Sequence, residues 1–173
     1  MQKHSEPHFK IGFGYDSHRF VAGRPLIVGG VIIPFNYGLE GHSDADVLLH
    51  AIADSLLGAA GLGDIGQHFP DTDPAYKDVK STYLLAEVFK MIVTRGYRVG
   101  NIDAVVIAEK PKMAPHAPIM KKKIAKILLV SEHDISIKAS TNEGMGFIGR
   151  GEGIAVVATA LIYKDDGTIT AAD

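Results

Sequence analysis

Apolar residues recur along the chain in short runs of two kinds, some spaced as a strand requires and some as a helix requires. Ile11 to Phe20 reads as a first strand. Leu26 to Ile33 is rich in Ile and Val and reads as a second, interrupted by Gly29-Gly30 and closed by Pro34. Ser43-Asp44-Ala45-Asp46 then has the form of a capping box, with Ser43 as N-cap and an acid three residues on. It predicts a helix from Ala45 to Ala60, stopped by Gly61 and Gly63. Gly63 to Pro74 is polar and turn-rich, a loop long enough to be a binding segment or a lid. Ser81 to Arg95 carries Leu84, Leu85, Val88, Ile92 and Val93 at helical spacing, and Gly96 ends it. Ile102 to Ala108 is a short apolar strand, Pro118 to Leu129 an amphipathic helix, and Ile135 to Ala139 an alternating strand. Thr141 to Gly153 is a glycine-rich loop, and Ile154 to Ile162 is a final apolar strand.

Elements in the order β-β-α-loop-α-β-α-β-β predict an α+β fold, a two-layer sandwich with a mixed sheet and helices on one face. The last strand is too continuously apolar to leave one face in water. Packing against copies of the same chain would cover that face, so the pattern predicts a homo-oligomer. A single domain over residues 1–173 is expected, with residues 1–10 as a polar N-terminal extension.

Composition narrows the function classes. The chain has 18 Lys+Arg and 20 Asp+Glu, a formal net charge of -2, which argues against general nucleic-acid binding. There is no cysteine, so disulfides, thiolate zinc sites and cysteine nucleophiles are excluded. Any metal must be held by His and carboxylate ligands. The polar start lacks the apolar centre of a secretory signal, and the longest apolar runs are too short to span a bilayer, which needs ~20 residues. No membrane association and a cytoplasmic location are expected.

Asp16 and His18 are i and i+2 on a predicted strand and point to one side. His50, on the predicted helix, offers a third ligand. Two imidazoles and a carboxylate leave a fourth tetrahedral position open, as catalytic zinc sites do. Asp-x-His alone is a weak signal, and His50 alone also fits a satisfied core histidine. Asp46, His50 and Asp54 fall at i, i+4 and i+8, so this line reads either as a solvated edge or as a ligand with carboxylates orienting its ring. His42 and Ser43 add a donor and a helix start suited to anions.

Glycines crowd Gly29-Gly30, Gly61 to Gly66 and Gly144 to Gly153, where backbone amides can approach phosphate or simply turn the chain. None matches a P-loop. Lys110-Pro111-Lys112-Met113 follows a predicted strand and fits either a base-facing loop or a solvated turn. In Ser140-Thr141-Asn142-Glu143, Thr141 offers a hydroxyl to phosphate and Glu143 a ligand to a hard cation, unless the segment is merely a polar loop start. Lys121, Lys122, Lys123 and Lys126 read as a solvated helix face.

The stretches GYDSHRF, IVGGVIIP, GHSDADVLLHAIADSLLGAAGLGDIG, HFPDTDPAYK, KPKMAPH and NEGMGFIGRGEGIAV together resemble the 2-C-methyl-D-erythritol 2,4-cyclodiphosphate synthase family of the non-mevalonate isoprenoid pathway. The likeness runs from Ile11 to about Tyr163. It implies a homotrimer with active sites between subunits and sheets packed around the trimer axis. The implied substrate is 4-diphosphocytidyl-2-C-methyl-D-erythritol 2-phosphate, whose 2-phosphate attacks the β-phosphorus and expels CMP.

By that resemblance Asp16, His18 and His50 hold Zn²⁺, and Glu143 helps hold Mg²⁺ or Mn²⁺ with the substrate. His42 and Thr141 stabilise the transition state. Ser43 binds the substrate, and Asp64, Ile65, Gly66, Phe69, Pro70, Asp71, Thr72 and Asp73 lie around the erythritol. Ala108, Glu109, Lys110, Pro111, Lys112, Met113 and Ala114 form the cytidine pocket across the interface, with Ser140 and Asn142 beside Thr141. Phe147 and Arg150 sit near the three-fold axis and the substrate, and the resemblance also raises a lipid diphosphate as a ligand of the central cavity. Ser140 and Asn142 stand where the family often has threonines, and Ala114 where a larger apolar residue is common. Two other readings differ in outcome: a zinc phosphoesterase with metal-bound water as nucleophile, and a non-catalytic trimeric binding module.

Overall fold

In the computed structural model, which describes residues 9–76 and 78–164, one long strand sets the frame. β1 (Phe9–Val21) alternates sides, as an extended chain must. One side carries Phe9, Ile11, Phe13 and Tyr15, each between 50% and 69% exposed. The other carries Gly12, Gly14, Asp16 and His18 and faces the helices. Phe9 and Lys10, read from sequence as the end of an extension, pair with Tyr163 and Ile162 and belong to the strand. The preceding residues 1–8 lie outside the described part.

β7 (Gly153–Lys164) runs antiparallel to β1 on one side and to β5 (Tyr97–Ile107) on the other. β6 (Ile135–Ser140) extends the sheet parallel to β5, and β4 (Gly38–Leu39) pairs with the end of β1. The strand order β4-β1-β7-β5-β6 is a mixed sheet, as expected. The segment read as one strand from Leu26 to Ile33 is instead a hairpin of β2 (Leu26–Val28) and β3 (Val31–Ile33). Gly29 and Gly30 both take positive φ, the backbone that a tight two-residue hairpin turn demands.

α1 (Val47–Ala60), α3 (Ser81–Thr94) and α4 (Ala117–Leu128) cover one face of the sheet. α1 is buried almost all round and lies directly on β1. A Cβ at Gly12 would sit 1.8 Å from the Ser55 carbonyl oxygen, and one at Gly14 would sit 2.0 Å from that of Ala51. Only glycine lets the two backbones come so close. That approach brings His50, next to Ala51, over the end of β1.

α1 does not start from Ser43. Ala45 has positive φ and breaks the run, and Asp46 is the N-cap, accepting the Leu49 amide at 3.1 Å. Gly61 ends the helix in the left-handed conformation, as expected. The segments read as loops hold short helices, α2 (Ile65–His68) in the first and α5 (Gly146–Gly149) in the second. β5 begins at Tyr97 rather than Ile102. Among the described residues no helix is long and apolar enough to cross a membrane.

Candidate active site

The inward side of β1 ends in Asp16 and His18, and α1 delivers His50 from above. Asp16 Oδ2 lies 3.0 Å from His18 Nε2 and 3.0 Å from His50 Nδ1. The two imidazole nitrogens are 3.3 Å apart. A tetrahedral cation with bonds of ~2.0 Å needs ligand atoms ~3.3 Å apart, so the triangle has the edges such an ion requires. The three residues form a group able to hold a metal ion. Burial opposes charge on Asp16, but hydrogen bonds from His18 and His50 outweigh it and hold the pKa well below the usual carboxylate range. Burial alone would lower the pKa of His18, yet its hydrogen bond to the Asp16 carboxylate raises it. Cationic and anionic groups thus already attract one another where a cation would displace the protons.

Each ring is held from behind. His18 Nδ1 donates to the Glu40 carbonyl at 2.6 Å, which leaves Nε2 facing the triangle. His50 Nε2 is 2.8 Å from Ser81 Oγ and 3.3 Å from Ser43 Oγ. Of the two readings open for the line Asp46–His50–Asp54, the one with carboxylates orienting the ring does not hold. Asp46 is fully buried and accepts from Gly29 and Gly30 as well as Leu49. Asp54 accepts the Ile65 amide at 2.7 Å and so docks α2 onto α1. Neither carboxylate orients the ring.

A cleft of about 280 Å³ opens beside the triangle, lined in part by His42, Ser43, Ile65, Phe69 and Asp71. His42 Nε2 is buried there without a hydrogen-bond partner. Arg24 holds the loop around it, donating to the carbonyl of Gly41 at 2.6 Å and to that of Ser43. Asp64 turns away and caps α2, accepting from the Gln67 amide at 3.0 Å. Asp71 and Thr72 are exposed, Pro70 and Asp73 half-buried, and Gly66 is exposed on α2.

The remaining candidates gather at the same end of the sheet but on other strands. Thr141 Oγ1 donates to Glu143 Oε1 at 2.5 Å. Glu109 accepts the amides of Asn142 and Gly144 at 3.0 and 3.2 Å, locking the Ser140–Gly144 loop to the Ala108–Ala114 segment. Lys110 and Lys112 are exposed, Pro111 follows a cis bond, and Met113 is buried. Phe147 and Arg150 flank the start of β7, with Arg150 paired to Glu152 at 2.6 Å. In register, Asp16 pairs with Val156, Val156 with Val106, and Val106 with Ala139. Three strand spacings therefore separate the triangle from the Thr141 loop, ~14 Å across the sheet. One chain does not bring the two clusters together.

Sequence reasoning missed Gly12, Gly14, Arg24, Asp44 and Ser81. The alternation of Gly12 and Gly14 with Asp16 and His18 on one strand side was a usable signal. Nothing local links Ser81 to His50, which is 31 residues away.

A carboxylate and two imidazoles converging beside a cleft with an unpaired buried histidine define an α+β protein with a side-chain group able to hold a metal ion. Residues 9–163 match the YgbB family, and the chain belongs to it. It is 56% identical over 156 residues to the 2-C-methyl-D-erythritol 2,4-cyclodiphosphate synthase of Bacillus cytotoxicus, covering 90% of this chain and 99% of the relative. Among solved structures, the bifunctional IspDF from Campylobacter jejuni matches with TM-score 0.89 and 42% identity, over 93% of this chain and 44% of that longer one. A CDP complex of IspF from Plasmodium falciparum matches with TM-score 0.82 and 34% identity, over 94% of this chain and 100% of that one.

Proposed function

We propose that the chain converts 4-diphosphocytidyl-2-C-methyl-D-erythritol 2-phosphate to 2-C-methyl-D-erythritol 2,4-cyclodiphosphate and CMP, a step of non-mevalonate isoprenoid biosynthesis in the cytoplasm. A 2-phosphate oxygen forms a bond to the β-phosphorus, and the bond from that phosphorus to the CMP oxygen breaks. The nucleophile belongs to the substrate, so the protein needs no nucleophile of its own. Its work is alignment of two ends of one molecule and neutralisation of phosphate charge.

Asp16, His18 and His50 hold Zn²⁺, and Glu143 helps hold Mg²⁺ or Mn²⁺ brought with the diphosphate. When bound, these ions supply Lewis acidity and a template for phosphate oxygens. His42, with its unpaired buried nitrogen, and Thr141 donate to oxygens whose negative charge grows in the transition state. Ser43 and the segments Asp64–Gly66 and Phe69–Asp73 hold the erythritol end. Ala108–Ala114, with Ser140 and Asn142, takes the cytidine.

The working unit is a homotrimer built from this one domain, with Phe147 and Arg150 near its axis. Two observations support assembly: the row of exposed apolar residues on β1, and the ~14 Å that separates the two clusters within one chain. A neighbour supplying Thr141, Glu143 and the cytidine pocket completes the site.

The convergence of Asp16, His18 and His50 beside the cleft carries this reading. It is tested by incubating the protein with the cytidylyl substrate and Mg²⁺ and following products by phosphorus NMR. CMP with a cyclic diphosphate is expected. A ring-opened product in its place means hydrolysis by metal-bound water. The variant His50→Ala should lose zinc and turnover while staying assembled, and Thr141→Ala should slow turnover with zinc retained.

A further inference from the structure

We propose that Ser81 and Asp44 are positioning residues for the metal centre, fixing His50 with its proton on Nε2 so that the Nδ1 lone pair is aimed at the cation. The inference rests on the reading that Asp16, His18 and His50 hold a metal ion.

A proton count carries it. Ser81 is 1% exposed and opens α3. Its hydroxyl donates to Asp44 Oδ1, and its amide lies 3.1 Å from each of the two carboxylate oxygens. A serine hydroxyl has one proton to give. With that proton on Asp44, Ser81 Oγ meets His50 Nε2 at 2.8 Å as an acceptor only. The ring must therefore donate from Nε2. Ser43 Oγ, 3.3 Å from the same nitrogen and already accepting the Ala45 amide, is the more distant partner. Were Nε2 to accept instead, the Ser81 proton would have to leave Asp44, and two oxygens would face each other with no proton between them.

Once a cation displaces the protons inside the triangle, His50 Nδ1 is the free lone pair, and it is this atom that lies 3.0 Å from Asp16 Oδ2 and 3.3 Å from His18 Nε2. The other ring is fixed independently by the Glu40 carbonyl, which can only accept. Two devices thus set two tautomers so that both lone pairs meet at one point. A carboxylate acting through a hydroxyl also pulls on the Nε2 proton and makes Nδ1 a better donor to a metal. Since Asp44 simultaneously caps α3, the position of that helix and the aim of the ligand are linked.

The test compares wild type, Ser81→Ala and Asp44→Asn, each stripped of metal. Zinc affinity is read by competition with a chromophoric chelator, and ligand geometry by the visible spectrum of the Co²⁺-substituted protein. Melting of the metal-free forms reports folding separately. Ser81→Ala should weaken zinc binding by about 10- to 100-fold and alter the Co²⁺ bands. Asp44→Asn, which keeps an acceptor but loses the charge, should show a smaller loss of the same sign. Affinities within roughly two-fold of wild type, with unchanged Co²⁺ spectra, would leave Ser81 and Asp44 as a helix cap only and overturn the proposal. If the variants do not fold, a proton–nitrogen correlation spectrum of histidine-labelled, metal-free wild type decides. It should show His50 protonated at Nε2, and an Nε2 without a proton sinks the idea. A wild type that binds no zinc overturns the metal reading as well, whereas unchanged variants of a zinc-binding wild type overturn this inference alone.

Discussion

At the scale of single residues, two glycines matter as much as the ligands. Because a Cβ at Gly14 would meet the Ala51 carbonyl oxygen at 2.0 Å, Gly14→Ala must lift α1 from β1. Overpacking of this kind costs about 1–3 kcal/mol. The helix that lifts carries His50, so the variant should lose zinc affinity along with stability. Gly58 offers a contrast on the same helix: an added Cβ finds nothing nearer than 3.8 Å, so Gly58→Ala should raise stability by about 0.5–1 kcal/mol, read by urea unfolding. His18 sets a pH dependence. Its folded pKa lies above 6.5 because of Asp16, and a metal must displace that proton. Zinc affinity should therefore rise with pH and level off above the folded value, measurable by chelator competition. In the metal-free protein the sign is opposite: the stabilisation from this pair is complete below the unfolded pKa and is lost as pH rises through the folded one. Asp16, His18 and His50 were legible as residue types able to hold a metal ion, and the structure brings them together, but the partners of their rings were not legible.

Among elements, the fully buried Asp46 joins α1 to the β2–β3 hairpin. It accepts from Gly29 at 2.8 Å, Gly30 at 2.6 Å and Leu49 at 3.1 Å. Asparagine has one carbonyl oxygen and would aim an N–H at one of these donors. Asp46→Asn should cost about 1–3 kcal/mol of unfolding free energy near neutral pH, with Gly29 and Gly30 losing amide protection first. Burial nonetheless pushes the Asp46 pKa up to about 6, from 3.8. The native state then holds a proton that the unfolded chain releases, so this contribution is full below 3.8 and lost as pH rises through about 6. The advantage of wild type over the variant should vary over that window. Local sequence pointed to an N-cap in Ser43 to Asp46 but selected the wrong residue. The selection was made by the positive φ of Ala45 and by the hairpin amides, which arrive from 16 and 17 residues away.

For the whole molecule, the exposed row on β1 and the split between clusters lead to one experiment each. Phe13→Asp puts charge into the face proposed for assembly and should yield monomers in sedimentation, with turnover lost. His50→Ala and Thr141→Ala disable different clusters, so mixing the two variants and letting subunits exchange should restore part of the activity each lacks. No recovery would mean that both clusters serve one chain alone. The α+β class, the mixed sheet and the run of helices were readable from periodicity, because burial of one side imposes its spacing on the residues. The β2–β3 hairpin was misread as one strand, since an Ile/Val run is the same whether extended or folded back at two glycines.

The chain's own order of residues determined which chemistry is available: carboxylate and imidazole ligands, no thiols, and apolar periods that make a sheet and its helical cover. Tertiary structure alone decided which of those groups meet. Ser81, Asp44 and His50 are brought together by the docking of α3 on the α1 loop, and Asp16 reaches His50 because two glycines admit a helix backbone. Hydrophobic spacing is written locally, but hydrogen-bond partners across a fold depend on where remote backbones come to rest.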